Sequence, residues 1–445
     1  MKKVIATLLV LTAVLTLFAA GAKEDKSVKE ITFWHSNSGL LGEATDALVE
    51  KFNETTGKEE GIVVTAVYQG KASDVLTKIK AVAQSGDADE YPTVVQLDAT
   101  GVVDMAANDD LLFAEELFTS QGDDLSYLLD HARESMMYRG RVIGLPFNAS
   151  TILYYYNKTL FDAKGIGEIR TLDDLIAAAP LLTEKDASGK TVRYAISSVP
   201  TTYEMCSFIG SQNGGSYLTD MENGHAGFAT RTVFAEEGTL EAFLTKWNEL
   251  YQTGGLRNST SGVTTEFVSG QTASMFASTS SLTTVLEAID GRFELGVSFF
   301  PMVNEKATGG VNLGGGALFT FKGDQETERA AYIFMKFLTS AESQLYWHLE
   351  TGYLPVNKDT YGLDEYKAHC GENPLFKVAS DQLLASNPKV VGLWIPNGYE
   401  VYYAFQSNIK AMLEQGVSVA DTVEKMRSEI DRGLDDFNRQ NINQH

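Results

Sequence analysis

Seven short stretches of the chain gather small hydrogen-bonding groups, five of them beside an aromatic ring or a carboxylate. They are Trp34-His35-Ser36-Asn37-Ser38, Tyr68-Gln69-Gly70, Gln96-Leu97-Asp98, Asn148-Ala149-Ser150-Thr151, Ser278-Thr279-Ser280-Ser281, Gly352-Tyr353 and Trp394-Ile395-Pro396-Asn397. Rings stack on the C–H faces of a hydroxylated molecule, while Asp, Asn, Ser and backbone N–H groups meet its hydroxyls. The chemistry such a set suits is reversible binding of a hydroxylated solute. Trp247 and Trp347 lie within helical patterns and read as core, whereas Trp34 and Trp394 border the polar stretches.

Other chemistries fail on spacing. Gly189-Lys190-Thr191 has the look of a phosphate-loop tail, but Glu184 stands where the first glycine is required. Asp186-Ala187-Ser188-Gly189 reads instead as a turn into a strand beginning at Thr191. The glycines at 309–316 do not sit between a strand and a helix N-terminus, so they form no dinucleotide fingerprint. The six histidines are scattered, and His369-Cys370 has no second Cys-His pair, so neither a metal site nor a cofactor is implied. No G-x-S-x-G elbow occurs. The chain has 59 acids, but nothing singles out a pair for glycoside hydrolysis.

The elements that must position these groups are legible. Ile31-Thr32-Phe33-Trp34 and Val63–Val67 are β-type runs, and Pro92–Leu97 reads as another buried strand. Between them Leu40, Leu41, Ala44, Leu48, Val49 and Phe52 recur at helical spacing, as do Val75, Leu76, Ile79 and Val82. Strand, helix, strand, helix, strand is the pattern of a parallel sheet covered by helices. A proline-opened turn at Leu145–Thr151 runs into the aromatic strand Ile152–Asn157, a candidate crossing between lobes; Gly309–Phe319 is a second. Glu328–Leu338 reads as an amphipathic helix, and Val419, Val423, Met426, Ile430 and Leu434 form a helical stripe.

The 445 residues are 44% apolar, enough for two or three domains or for two lobes of one fold. Lys+Arg 36 against Asp+Glu 59 gives −23, which opposes binding to a phosphate backbone and excludes nucleic acid as a partner. Met1-Lys2-Lys3, the apolar run Val4–Phe18 and Ala20-Gly21-Ala22 match a secretory signal peptide over residues 1–22. No cysteine lies near that cleavage site and no later stretch is long and apolar enough to span a bilayer, so a soluble, exported product is expected. Cys206 and Cys370 leave both one bridge and two buried thiols open.

Ile31-Thr-Phe-Trp-His-Ser36, Gly144-Leu-Pro-Phe-Asn148, Tyr154-Tyr-Tyr-Asn-Lys158 and Thr351-Gly-Tyr-Leu-Pro355 together resemble family 1 extracellular solute-binding proteins of ABC importers. With Phe267–Leu282 and Gly314–Ala317 added, the chain is similar to the branch that binds glycerol-3-phosphate and its diesters. The resemblance implies a two-lobed α/β fold of the periplasmic-binding-protein type II kind, each lobe a mostly parallel sheet flanked by helices, joined by hinge strands. It implies lobes of 28–148 plus 319–361 and 149–318 plus 362–445, a solute held between them, and delivery by a monomer to a membrane permease. The branch's ligand contacts fall on Tyr68, Asp98, Ser150, Ser278 or Ser280, Gly315 and Tyr353. Residue reading adds Trp34, His35, Ser36, Gln96, Asn148 and Trp394.

Two departures follow from that resemblance. Asp98 stands where the branch has glutamate. Trp394 in Gly392-Leu-Trp-Ile-Pro-Asn397 stands where the branch has a phosphate-binding arginine. An indole offers one neutral donor and a ring face, where a guanidinium offers a bidentate charged fork. The expected solute is therefore a sugar, oligosaccharide or polyol. A glycerol-3-phosphate or glycerophosphodiester binder, a secreted carbohydrate-active enzyme and a chemoreceptor of the same fold are the alternatives.

Overall fold

The computed structural model describes residues 28–440 apart from 199, 260 and 397; the expected signal peptide lies outside the described residues. Two mixed sheets organise the chain. The first has the strand order β2(Ile62–Tyr68), β1(Lys29–His35), β3(Val94–Asp98), β11(Gly314–Phe321), β4(Leu111–Leu112), with β5(Leu145–Ser150) also paired to β11. The second has the order β8(Leu256–Arg257), β7(Thr191–Ser197), β9(Thr272–Ser278), β6(Ile152–Asn157), β10(Leu295–Phe299). In the first sheet β11 is antiparallel to its neighbours; in the second β6 is, and the other strands of these orders run one way. Along these orders each sheet is thus mostly parallel, with one reversed strand in the matching place; the short strand Glu184–Lys185 also pairs antiparallel with β7.

Local sequence accounts for the layers. Along β1, Ile31, Phe33 and His35 alternate inward, as a half-buried strand requires. Helix Leu40–Glu54 buries Ala44, Leu48, Val49 and Phe52, and helix Gln325–Leu338 lays Phe334 edge-on to Phe33 at 5.4 Å and to Phe52 at 5.1 Å. Asp324 caps that second helix by accepting from Thr327 N at 2.8 Å. On the second sheet, Trp247, Phe208, Phe243 and Phe276 form a fully or nearly fully buried aromatic cluster. Helix Val419–Gln440 buries Met426, Ile430 and Leu434, the expected stripe. Ser188, Gly189 and Lys190 close the expected turn through N–H groups donated to Asp186.

The chain passes from one sheet to the other at Thr151 alone, between β5 and β6. Thr151 is fully buried, and its carbonyl accepts from Thr279 N at 2.9 Å and from Thr279 Oγ1 at 2.8 Å. The return crossing joins β10 to β11. The expected lobe limits at 148/149 and 318/319 cut through β5 and β11. Both strands lie whole in the first sheet, because Gly314, Gly315 and Gly316 pair in register with Ser150, Ala149 and Asn148. Cys206 and Cys370 are both free thiols, buried in separate apolar clusters, and burial pushes Cys206 up to about 12.

Candidate functional site

The carboxyl ends of the first sheet's parallel strands gather most of the expected residues on one edge. His35 and Tyr68 end β1 and β2 side by side in register, and Asp98 ends β3 opposite Gly316. Ser150 ends β5 opposite Gly314. Open α/β sheets bind ligands outside these strand ends. Gly315 has φ +120, and a Cβ there would stand 1.7 Å from the Asn148 carbonyl oxygen. Only glycine fits such an approach of two backbones.

Each side chain on this edge has a definite setting. Asp98 Oδ1 accepts from Thr100 N at 3.0 Å and from Thr100 Oγ1, which fixes its carboxylate at the start of a short turn of helix. Gln96 and Asn148 are buried beneath the edge, Gln96 Nε2 donating to Asn148 Oδ1 at 3.1 Å. His35 is buried beside the Phe33 and Tyr68 rings, and burial pulls its imidazole below the usual range. Trp34 packs half-buried on the first core, Ser36 is half-buried after β1, and Tyr68 is 54% exposed. Tyr353 joins the edge because Leu354 N donates to the Ala149 carbonyl at 2.7 Å.

The second lobe supplies the facing groups. Ser278 ends β9 opposite Ile152, and its hydroxyl lies 3.0 Å from that of Ser280. Tyr203, which the sequence reading passed over, reaches across to the first sheet. Its hydroxyl donates to the Ser150 carbonyl at 3.1 Å, and its ring lies where a Cβ on Gly314 would meet Cε2 at 2.4 Å. Tyr203 lies in the first turn of helix Thr202–Gly210, capped by Thr201 and Glu204 in a reciprocal box. The run Thr201-Thr-Tyr-Glu204 is the sequence signature of that box and could have located it. Burial holds the Glu204 carboxyl above its usual range, and Tyr402, close enough to feel that carboxyl, is raised chiefly by burial too. Gly398, opening helix Gly398–Gln415, packs on Thr100 beside Asp98. These contacts bring the two lobes together around the Ser150–Tyr203 and Thr100–Gly398 approaches.

Trp394 departs from its expected role. It is 2% exposed, and its ring stacks on His225 at 3.7 Å, so no indole face is left for a solute in this conformation. Its backbone N–H donates to the Asn223 carbonyl at 2.8 Å, which holds the segment against the second lobe's loop. Beside the His35 imidazole and the Trp34 indole, the named groups at the edges are hydroxyls, amides, phenols and the Asp98 carboxylate. Lys78, near Tyr68, is tied to Gln69 through its carbonyl at 2.9 Å and its Oε1 at 2.6 Å.

Two sheets of matching order, joined by strand crossings and meeting through polar strand ends, define a two-lobed solute-binding protein. The family model of bacterial extracellular solute-binding proteins matches residues 47–374, and the chain belongs to that family. It is the extracytoplasmic solute-binding protein of an ABC importer. Among characterised relatives, the sn-glycerol-3-phosphate-binding periplasmic protein UgpB of Yersinia pestis bv. Antiqua is 27% identical over 375 residues, 81% of this chain and 82% of that one. The protein of the same name from Escherichia coli O1:K1 is 27% identical over 377 residues, 82% of each. Among solved structures, UgpB from Mycobacterium tuberculosis in complex with glycerophosphocholine aligns at TM-score 0.74 and 22% identity, covering 92% of this chain and 99% of that one. The cyclic alpha-maltosyl-1,6-maltose binding protein from Arthrobacter globiformis gives the same TM-score of 0.74 at 24% identity, covering 92% and 99%. Among the described residues no helix is long and apolar enough to cross a membrane, and no group of three His, Cys, Asp or Glu could hold a metal ion.

Proposed function

We propose that the protein captures a neutral, hydroxylated solute, a sugar, oligosaccharide or polyol, between the two strand edges. The lobes are then 28–150 with 314–361 and 152–313 with 362–440. The observation that carries this reading is the makeup of the two strand edges: Tyr68, Tyr353, Ser150, Asp98 and the Gly314–Gly316 backbone on the first, Tyr203, Ser278 and Ser280 on the second. A carboxylate accepts the hydroxyls of a sugar or polyol, and since the phosphate-binding branch carries one at this place too, the ligand class turns on the missing arginine. Where the phosphate-binding branch is expected to present an arginine, this chain has Trp394, packed on His225.

Binding bridges both lobes and shifts the population toward the closed form. The polar groups so desolvated each require a partner, which gives selectivity against analogues lacking one hydroxyl. The protein works as a monomer and without catalytic turnover; incubated glycans are expected back unchanged. The relatives named for glycerol-3-phosphate supply the second reading. A thermal-shift and calorimetry panel of maltose, maltotriose, glycerol, sn-glycerol-3-phosphate and glycerophosphocholine decides between them, because a solute that binds only the folded form raises its melting temperature. A neutral sugar or polyol is expected to stabilise most. Stabilisation by sn-glycerol-3-phosphate or glycerophosphocholine alone would overturn the ligand class.

A further inference from the structure

Away from the strand edges, a second set of contacts joins the lobes. The hairpin of Met137–Tyr138 and Arg141–Val142 belongs with the first lobe: Ala114 N donates to the Ile143 carbonyl and Val142 N to Glu115. It packs against the loop around Asn223–Ala226 and the segment Val391–Trp394; Leu393 is buried in the second lobe's core, and Asn223 is tied to Leu218 of the same core through Leu218 N, which donates to its Oδ1. His225 stands at the meeting point. Its Nδ1 lies 3.1 Å from the Met137 carbonyl, on one lobe, and its Nε2 lies 3.1 Å from the Gly392 carbonyl, on the other. Arg139 N donates to the His225 carbonyl at 2.8 Å, and the ring lies stacked on Trp394.

Both ring nitrogens thus face acceptors. A neutral imidazole carries one N–H and can satisfy only one of them; an imidazolium would satisfy both, but at the expense of desolvating its charge. The ring is 5% exposed and lines a cavity of about 320 Å³, so water is at hand if the contact opens. The backbone there is strained: Arg139, Met221, Glu222 and Asn223 all have φ between 50 and 60.

We propose that His225 is a positioning residue whose protonation couples the lobe junction to pH, closing the junction when neutral and releasing it when charged. Four formal charges line the cavity around the ring. Arg139 on the hairpin and Lys389 oppose its charging, while Glu134 on helix Asp130–Ser135 and Glu222 favour it; Tyr138 and Tyr217 stay neutral. With signs balanced, burial decides, and it pulls the closed imidazole down to about 4 despite the two carbonyl contacts. In an open junction the ring returns to about 6.5. The open form therefore binds the proton more tightly, so closure is complete above about pH 6.5 and weakens as pH falls toward 4.

The inference rests on the two-lobed reading above, but its test uses no solute, so a wrong ligand class leaves it standing. Hydrogen exchange, corrected for intrinsic rates, reads the protection of the Arg139 amide, whose bond to the His225 carbonyl crosses the junction, in the full chain. From pH 7.5 to pH 5.0 its protection is expected to fall roughly 30-fold in the wild type. In His225→Gln, which keeps one donor without titrating, it is expected to stay level, as it is for the Val94–Asp98 strand in both proteins. Should circular dichroism show His225→Gln unfolded, His225→Phe takes its place. Wild-type protection that is unchanged with pH, or that falls equally in the variant, would overturn the proposal.

Discussion

The two sheets share a strand order but present different groups at the edges where they approach each other. In the first, the reversed strand enters the edge as Gly314-Gly315-Gly316, bare backbone pressed against Asn148. In the second, the corresponding strand enters as Ile152-Leu153-Tyr154-Tyr155, all buried in the apolar cores. The first lobe therefore offers strand ends and main chain, and the second offers side-chain hydroxyls: Tyr203 on a helix, Ser278 at the end of β9 and Ser280 in the turn that follows. On the binding mode proposed above, the first face acts as a main-chain template that selects by shape, and the second as an adjustable face that selects by which hydroxyls are present.

Substitutions can break or sharpen that contrast. The largest effect is expected at a residue outside it: Trp394→Ala empties a buried stack and should lower unfolding stability by about 3–5 kcal/mol in denaturant melts. A loss of solute affinity with no loss of stability would return Trp394 to the binding edge. Gly315→Ala tests the template, since φ +120 and the Asn148 carbonyl leave no room for a methyl group. It should cost about 2–3 kcal/mol and abolish the thermal shift given by the best solute of the panel. Asp98→Ala should weaken that solute at least tenfold by calorimetry, with about 1 kcal/mol lost from the cap it gives Thr100.

On the adjustable face the effects are smaller. Tyr203→Phe removes one hydrogen bond to Ser150 and should change affinity by about fivefold, in line with about 1 kcal/mol for a net hydrogen bond. Ser278→Ala is expected to cost least, because Ser280 lies within reach of the same position. If Tyr203→Phe or Ser278→Ala proved more damaging than Gly315→Ala, the assignment of template and adjustable faces would be reversed.

Much of this was legible before any coordinates. Periodicity placed β1, β2, β3 and the helices between them, because alternating or helical burial leaves a local trace in residue order. The crossing at Thr151 was marked by Pro146 and the aromatic run that follows it. The reading of Trp394 went astray for a physical reason: a tryptophan beside polar residues looks the same whether its ring faces a solute or a histidine 169 positions upstream. Tyr203 was missed for the converse reason, since nothing near it in sequence is part of the edge it reaches.

Residue order alone determined the class of elements, the acidic character and the inventory of hydroxyls, phenols and carboxylates available for binding. Those are sums over local preferences and composition, and they need no partner. Only the tertiary structure decided which of them share a surface. That depends on strand register and on lobe contact, where Gly316 comes to lie opposite Asp98 and Tyr203 over Gly314. Pairings over such separations are fixed by the packing of whole layers, which no single stretch of the chain encodes.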